Sequence, residues 1–356
     1  LPPGHPGFRD GDIRMHLKAI ASEAAKIQVS MKFVGDESAQ RAMKIVPRTA
    51  RKIVSELDLL RGFTETVQSI AISLDEQNSV VSYLFFKKGF ALFSAPVEVD
   101  EIIRKNIYGE RGAVIYTAAT LCHENRFDCF KKIIGLERPI VADDDNAAKI
   151  IETSRIPSHF SPGLMELVVH PESLNGNFEN KSGWLEKTVS LLPGLIDKNQ
   201  GRTLVLFSSY NDLQYVAAKT FDRISGAGYP LLLQKPGEPT IGLCDEFRTV
   251  KESVLFGVDT FWYGVDFPGD TLTQVIITRM PYPSPSDPIQ SARKMILPPK
   301  AYWERYYYEN EIKVKQGIGR LIRTETDRGK VVFLDFRFQK MLDRFKLSSP
   351  GGFGEN

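Results

Sequence analysis

Hydrophobic positions follow two different patterns along this chain of 356 residues. In residues 1–80, apolar side chains recur three and four positions apart with Lys and Arg between them, which predicts helices. The clearest helical stretches are Ile13–Ser30 and Ser38–Leu60, and Pro47 is expected to kink or split the second one. From about residue 80 onward, short β-branched runs alternate with helical patterns, which indicates a change of architecture.

The second pattern predicts an α/β fold. The expected strands are Ser79–Phe86, Ala113–Tyr116, Leu167–His170, Thr203–Phe207, Ser253–Phe256, Gln274–Thr278 and Lys330–Leu334. The expected helices include Leu185–Ile196 and Leu213–Ile224, whereas His170–Asn180 is expected to be a loop and Asp143–Gly163 a connection between two units. Strands that alternate with helices favour a mostly parallel sheet covered on both faces, with function at the carboxyl ends of the strands.

Composition adds little to this picture. Hydrophobic residues at 42% and charged residues at 25% are typical of a folded protein, and the length favours two or three compact units. Lys and Arg number 46 against 44 Asp and Glu, so the net charge does not indicate a nucleic-acid partner. Residues 293–346 have a local excess of basic residues, which is compatible with phosphate binding and equally with a solvated surface.

Cysteine and histidine positions predict neither disulfides nor a metal site. Cys122, Cys129 and Cys244 are too scattered for a disulfide framework, which favours a reducing compartment, and His123 beside Cys122 is interpreted as incidental. No apolar run approaches the roughly 20 residues of a membrane helix, and no signal peptide opens the chain, so a cytoplasmic location is expected. Because the first residue is Leu1, the chain is expected to begin inside a longer gene product.

The segment Gln316–Arg323 carries the strongest chemical signal. As a helix it would place Gln316, Arg320 and Arg323 on one face, with Gly319 beside them allowing another surface to approach closely. The apolar residues of the opposite face would be Val314, Ile318, Leu321 and Ile322. Two guanidinium groups one turn apart suit phosphate oxygens, although a solvated amphipathic helix explains the pattern equally well.

The surroundings of this segment decide between these interpretations. The pattern Gln-x-x-Gly-Arg-x-x-Arg, followed by the turn at 327–329 and a strand, resembles motif VI of the DinG and XPD helicases of superfamily 2. The resemblance implies that Arg320 and Arg323 are arginine fingers that act with Gln316 on the triphosphate of ATP, and that Gly319 lies at the nucleotide.

A second segment, Leu255–Asp270, resembles motif V of the same family. The pattern of this segment predicts a strand followed by a loop between two glycines, and Trp262 and Asp266 would lie in that loop. The resemblance implies that Gly264 and Asp266 contact the nucleotide and that Trp262 couples the nucleotide state to nucleic acid. For the indole ring of Trp262, a position in the hydrophobic core is favoured over a contact with DNA.

Two further segments complete the order of motifs. Residues 204–213 resemble motif IV, which implies that Ser208, Ser209 and Tyr210 contact nucleic acid, while capping of the following helix is the simpler role. Residues 113–121 resemble motif III, which implies that Thr117 and Thr120 connect the two motor domains.

The chain also departs from the family pattern. Ala118 stands where motif III usually has Ser, and Tyr263 stands where motif V usually has Glu. In contrast, residues 280–288 resemble the family's proline-rich segment, with Asp287 as a helix cap and Pro288 at the first helical position.

The resemblance implies an organisation and an activity. Residues 1–80 would be a helical arch-like segment, 81–137 the end of a first RecA-like motor domain, and 138–356 a second RecA-like domain of the P-loop NTPase type. The intact protein would be an ATP-dependent 5′ to 3′ DNA helicase that uses ATP and Mg²⁺. It would act as a monomer on single-stranded and forked DNA, and it would be found with the bacterial nucleoid. No phosphate-binding loop and no Asp-Glu-x-His motif occurs in the sequence, so we expect the chain alone to hydrolyse no ATP and to need its own first motor domain. The iron–sulfur cysteines of the family lie upstream of these motifs, so no cluster is expected here.

Two alternatives remain open. One is a helicase-derived module that binds DNA or a partner without catalysis, which Ala118 and Tyr263 favour. The other is a RecA-like ATPase that acts on RNA or protein, which the DinG-like detail of motifs V and VI disfavours.

Overall fold

The computed structural model describes residues 80–86, 90–108, 113–123, 126–140, 150–156, 162–267, 269–284 and 287–348, together with a few helical positions between 19 and 65. The predicted helices Ile13–Ser30 and Ser38–Leu60, the break at Pro47 and most of the connection at 143–163 therefore lie outside the described residues. Two compact units are present, one of residues 1–102 with 284–299 and one of residues 103–283 with 300–356. The boundaries predicted at residues 80 and 137 stay predictions.

The regular elements are given in chain order. The strands are β1 (Val80–Phe86), β2 (Phe90–Pro96), β3 (Met165–Leu174), β4 (Thr203–Leu206), β5 (Leu231–Leu233), β6 (Val254–Gly257), β7 (Gln274–Ile277) and β8 (Gly329–Asp335). The helices are α1 (Asp100–Ile103), α2 (Asp128–Ile133), α3 (Lys181–Lys198), α4 (Tyr210–Gly226), α5 (Ile241–Thr249), α6 (Pro288–Ile296), α7 (Pro299–Ile318) and α8 (Phe338–Ser348).

The first unit contains the antiparallel hairpin β1–β2 and helix α6. Helix α6 begins as the sequence predicts, because Asp287 Oδ1 accepts a hydrogen bond from Gln290 N at 2.9 Å and Pro288 occupies the first helical turn. Arg293 Nε of the same helix donates to the Val97 carbonyl oxygen at 3.1 Å, which ties the helix to the end of the hairpin.

The second unit is built on a six-stranded sheet in the order β3-β8-β7-β4-β6-β5, and every pair in it is parallel. Successive side chains of β4 alternate between two cores: Leu204 and Leu206 pack on one face, Val205 and Phe207 on the other, and all four are fully buried. Helices α3 and α4 lie over the second of these faces, while α5, α7 and α8 contribute to the first. The α/β fold with a parallel sheet covered on both faces is confirmed.

Two local predictions were wrong, and one strand was not predicted. Residues 113–116 form no strand, because β-branched residues extend into a sheet only where a neighbouring strand pairs with them. Strand β3 continues to Leu174 through a pairing irregularity, so half of the expected loop 170–180 is strand. Strand β5, the short run Leu231–Leu233, was not expected. Within the described residues, no helix combines the length and apolarity needed to cross a bilayer.

Candidate functional site

Helix α7 is the element around which the candidate site is built. Its 20 residues span about 30 Å, from the edge of the sheet where the strands end to the edge where they begin. Near its start, Tyr306 stacks on Tyr282, which follows β7, and its last residue lies in the segment that leads into β8. Its apolar face is buried as predicted, with Val314 and Ile318 both fully inaccessible.

The helix ends earlier than the sequence predicts. Its last residue is Ile318, and Gly319 N makes the final helical hydrogen bond, to the Lys315 carbonyl oxygen at 2.9 Å. Arg320 and Arg323 therefore lie in a turn, and the prediction that they project from one helical face was wrong. Both arginines precede β8 and lie at its amino end. The sequence predicts functional residues at the carboxyl ends of the strands instead.

Asp327 is the physical reason for this turn. Its buried carboxylate accepts hydrogen bonds from the backbone nitrogens of Arg323 at 2.7 Å and Thr324 at 2.8 Å, and from Gly269 N at 3.2 Å. Burial opposes the ionisation of Asp327, but a hydrogen bond from Thr324 Oγ1 at 2.8 Å and then these backbone bonds outweigh it and hold its pKa below the ordinary aspartate value. The carboxylate thereby fixes the turn and joins it to the loop that precedes β7.

The two arginines converge on one backbone carbonyl group. Arg320 Nη1 donates to the Val265 carbonyl oxygen at 2.7 Å, and Arg323 Nη2 donates to the same oxygen at 3.2 Å. Arg323 Nε also lies 2.8 Å from Asp266 Oδ1. Burial and then the neighbouring Arg323 charge lower the pKa of Arg320, which nevertheless remains charged because arginine does not lose its proton in proteins. The structure thus brings together three residues that the sequence predicted separately.

The close approach that was expected at Gly319 occurs at Gly317. A Cβ atom on Gly317 would lie 2.9 Å from Trp262 Cε3, whereas one on Gly319 would meet only carbonyl oxygens of its own helix, the nearer at 3.2 Å. The indole of Trp262 is fully buried, and its Nε1 donates to the Phe207 carbonyl oxygen at 2.9 Å. Trp262 is therefore a core residue that cannot stack on a base in this conformation. Gly264 has a φ of 70°, and no atom lies within 4 Å of its Cβ position, so the motif V loop is not packed against other residues at this glycine.

The motif III segment lies along α7. Gln316 Nε2 donates to Thr120 Oγ1 at 3.4 Å, Tyr308 Oη donates to the Leu121 carbonyl oxygen at 2.8 Å, and Lys315 Nζ donates to the Cys122 carbonyl oxygen at 3.3 Å. Thr117 is exposed and forms no hydrogen bond in the part of the chain that the structure describes. Of the two threonines that the sequence predicted, only Thr120 reaches the residues of motif VI.

A buried ion cluster reinforces this contact. Glu311 is 3% exposed, and its carboxylate lies 2.7 Å from His123 Nδ1 and 2.9 Å from Lys315 Nζ. Burial opposes the charge of Glu311, but the two partners outweigh it and hold its pKa below the ordinary value. His123 thus has a structural partner that the sequence did not reveal, and this contact does not involve Cys122. Sequence reasoning missed Glu311 because an acidic residue on a helix is usually solvated, and only the packing reveals its partners.

The serines after β4 act on the protein itself. Ser209 is the N-cap of α4 and accepts from Asp212 N at 3.2 Å, which confirms the predicted capping role. Ser208 Oγ accepts from Arg279 Nε at 2.9 Å, and Tyr210 is the first helical residue. These three residues lie at the carboxyl end of β4, away from the arginine turn at the start of β8. Contact with nucleic acid stays a prediction for all three.

A residue that the sequence did not reveal shapes the motif V loop. Gln234, 5% exposed, accepts from Val258 N at 2.7 Å and donates to Thr260 Oγ1 at 2.8 Å. Its amide thus fixes the chain directly after β6, where Asp259 adopts a positive φ of 22°. Elsewhere in the described residues, no group of three or more His, Cys, Asp or Glu side chains is placed to hold a metal ion.

Comparison with known proteins identifies the class. Residues 192–349 match the family of helicase C-terminal domains. The fold resembles that of a solved XPD helicase, with a TM-score of 0.55 and 16% identity over 94% of this chain and 66% of that one. This part of the chain is therefore a RecA-like helicase C-terminal domain.

Sequence relatives support a helicase C-terminal region of the DinG/XPD type of superfamily 2. The chain is 28% identical to the 3′–5′ exonuclease DinG of Bacillus subtilis over 91% of its length, and 29% identical to the ATP-dependent DNA helicase YoaA of Haemophilus influenzae over 85%. It is 30% identical to the ATP-dependent helicase DinG of Mycobacterium tuberculosis over 68%. The chain spans only 32%, 46% and 35% of the length of these three relatives.

Proposed function

We propose that the chain is the second-motor part of an ATP-dependent DNA helicase, in which Arg320 and Arg323 act on a triphosphate held by a first motor domain. The observation that carries the proposal is the convergence of both guanidinium groups on the Val265 carbonyl oxygen, at 2.7 and 3.2 Å. Two like charges this close repel each other, and an arriving polyanion would relieve that repulsion. Their planar forks also match phosphate oxygens.

The residues of this chain could supply some of the groups that bind a nucleotide, but not all of them. The arginine turn supplies donors for phosphate, and Asp266 and Gly264 lie in the adjoining loop. Mg²⁺ ligands and the phosphate-binding loop would come from the first motor domain. The contact between Gln316 and Thr120 would then transmit the closure of the two domains, because it joins motif III to the helix that positions both arginines.

The names of the relatives support the motor function. Both the Haemophilus YoaA and the Mycobacterium DinG are named ATP-dependent helicases. The Bacillus DinG is named an exonuclease, but this chain covers only 32% of it, and residues 192–349 of this chain match a helicase C-terminal domain. We therefore propose unwinding, and not nuclease activity, for this part of the protein. The proposed 5′ to 3′ movement on single-stranded DNA rests on the resemblance of motifs III to VI alone.

One observation favours a second candidate, a helicase-derived module without catalysis. Tyr263 occupies the position of the family's glutamate, and its ring lies beside Lys313, with Nζ 5.8 Å from the ring centroid. The ring cannot replace a carboxylate in contacts that depend on charge. The motor remains the better proposal because the arginine pair is present and fixed in place.

The test is ATP turnover in the protein that contains both motor domains. Arg320→Ala or Arg323→Ala is expected to lower DNA-stimulated turnover by about a thousandfold or more, as for other arginine fingers. The melting temperature should stay unchanged, because neither side chain fills the core. Arg320→Lys should restore little activity, since a point charge lacks the fork.

Arg328→Ala is the matched control. This arginine lies in the same turn, is exposed, and donates to the carbonyl oxygens of Glu325 and Asp327. Its removal should leave turnover within about twofold. Normal turnover in the Arg320 and Arg323 variants would refute the proposal, and a sharp fall in their melting temperature would identify a structural role instead.

A further inference from the structure

We propose that aromatic side chains at the amino-terminal end of α7 form a stacking platform for the bases of single-stranded nucleic acid. The aromatic platform consists of Tyr282, Trp303, Tyr306 and Tyr307. The inference rests on the proposed DNA function and extends it, since it locates where the strand is held. None of these residues belongs to the motifs from which the nucleotide site was predicted.

The rings of the platform hold one another in place. Tyr282 and Tyr306 are stacked, with centroids 5.4 Å apart and planes inclined by 11°, and Trp303 and Tyr307 are stacked at 5.8 Å and 25°. Trp303 and Tyr307 also contact Tyr306 edge to face, at 82° and 81°. Positions 303, 306 and 307 share one side of α7 because residues three and four apart are neighbours on a helix. The rings are thus pre-organised, which lowers the entropic cost of binding.

Exposure separates Trp303 from the other two tryptophans of the unit, and Tyr307 beside it is exposed to the same degree. Trp303 is 43% exposed and Tyr307 is 47% exposed, whereas Trp184 and Trp262 are 1% and 0% exposed. Two large rings that present this much surface to water, while their neighbours fix their orientation, are suited to a planar ligand. Nucleobases are such ligands, and every base offers a π-face regardless of sequence.

Ring chemistry and position favour a nucleic acid over an apolar protein segment. The Arg337 guanidinium lies 5.4 Å from the centroid of the Tyr282 ring and is held there by Asp335, with Nη2 2.6 Å from Oδ2. Tyr282 follows β7 and Arg337 follows β8, so the platform lies at the edge of the sheet where the strands end. Ser208, at the end of β4, opens onto the same edge. Asp335 offsets the charge of Arg337, so the platform offers flat rings and tyrosine hydroxyls and no net positive charge. This combination suits a polymer of flat, polar bases, whereas an apolar partner segment would favour aliphatic contacts.

The test uses fluorescence, because Trp303 is the exposed one of the three tryptophans of the chain. Oligothymidylate is expected to quench its emission, and an abasic oligomer of the same length is not. Trp303→Leu or Tyr307→Leu should weaken oligothymidylate binding by about tenfold, the loss that corresponds to one stacked base. Trp303→Phe, which keeps a π-face, should retain most of the affinity.

Phe221→Leu is the matched control, since Phe221 is 44% exposed on α4 and lies outside the platform. The affinity of the Phe221→Leu variant for oligothymidylate should equal that of the unchanged protein. Equal binding of abasic and thymidylate oligomers, or full affinity in the leucine variants, would overturn the platform and leave the proposed motor function intact. If the unchanged protein self-associates and the leucine variants do not, a second copy of the chain binds the aromatic platform. That result would also overturn the proposal of a nucleic-acid platform. If the chain binds no single-stranded DNA, the platform fails, while the turnover test on Arg320 still decides the motor function independently.

Discussion

The two ends of helix α7 differ in chemistry although they belong to one continuous element. Its first half presents aromatic rings, of which Trp303 and Tyr307 are nearly half exposed. Its second half presents Glu311, Lys315 and Gln316, which bind the motif III segment, and it ends in the arginine turn. The aromatic end lies where the strands of the sheet finish, and the arginine end lies where they begin.

Under the two proposals, this difference would let one helix serve two ligands. A rigid helix of about 30 Å would keep the spacing between the proposed nucleotide end and the proposed base-binding end constant. Movement of the arginine turn by closure on a first motor domain would then be transmitted along the helix axis. The helix itself is held by Gly317, through which the indole of Trp262 packs against its backbone.

The largest effect on stability is expected at this contact. Gly317→Ala should destabilise the fold by roughly 3 kcal/mol, because its Cβ would lie 2.9 Å from a fully buried indole that has no room to move. Gly194→Ala in α3 is the matched control, since nothing lies within 4 Å of its Cβ position. It should be neutral or stabilising by up to about 1 kcal/mol. Urea unfolding of both variants measures the difference, and equal stability would show that Gly317 is not a packing requirement.

A smaller effect is expected at the ion cluster in the middle of α7. Glu311→Gln should lower stability by about 2 kcal/mol near neutral pH, since hydrogen bonds to a charged group are lost. The folded-state pKa of Glu311 is depressed below its ordinary value of 4.5, so its contribution is present above that pH and is lost as the pH falls through the lower, folded-state pKa. The gap in melting temperature between the unchanged protein and the variant should therefore narrow below about pH 4.5.

Glu309→Gln provides the comparison for this prediction. Glu309 is on the same helix and pairs with Arg305 at 2.8 Å, but its side chain is 29% exposed. Such a pair contributes about 1 kcal/mol or less. If the two variants lose equal stability, or if the Glu311 gap stays constant with pH, the buried cluster does not hold the segment.

The smallest effect is expected at the N-cap of α4. Ser209→Ala should cost about 1 kcal/mol of stability through the lost bond to Asp212 N. Ser209→Asp should keep the cap and the melting temperature, yet weaken single-stranded DNA binding because a carboxylate repels phosphate. Unchanged DNA affinity in the Ser209→Asp variant would limit this serine to capping.

Much of the fold could be predicted from the sequence because the central strands are short, buried on both faces and rich in β-branched residues. The runs at 203–207, 253–256 and 274–278 are nearly the observed strands. Local patterns failed where tertiary contacts decide the structure. Residues 113–116 have strand propensity without a paired neighbour, and the helix before Arg320 ends early because Asp327, nine residues beyond Ile318, captures the backbone.

The candidate site could be predicted in its residue types but not in its geometry. Arg320 and Arg323 were assigned to the nucleotide through motif VI and Asp266 through motif V, and the structure brings the three together. The close packing at Gly317 was missed, because the sequence shows which residues lack a side chain but not which one faces an indole. Gln234 and Glu311 were missed, since their partners lie 24 and 188 residues away along the chain.

The central claim is that the two ends of α7 perform separate tasks, and one paired measurement tests it. In the protein with both motor domains, Arg320→Ala and Trp303→Leu are each assayed for ATP turnover at saturating DNA and for affinity to oligothymidylate. We expect Arg320→Ala to lose turnover by about a thousandfold and keep its DNA affinity, and Trp303→Leu to lose about tenfold in affinity and keep its turnover. A variant that loses both properties together, or neither, would contradict the division of tasks along the helix.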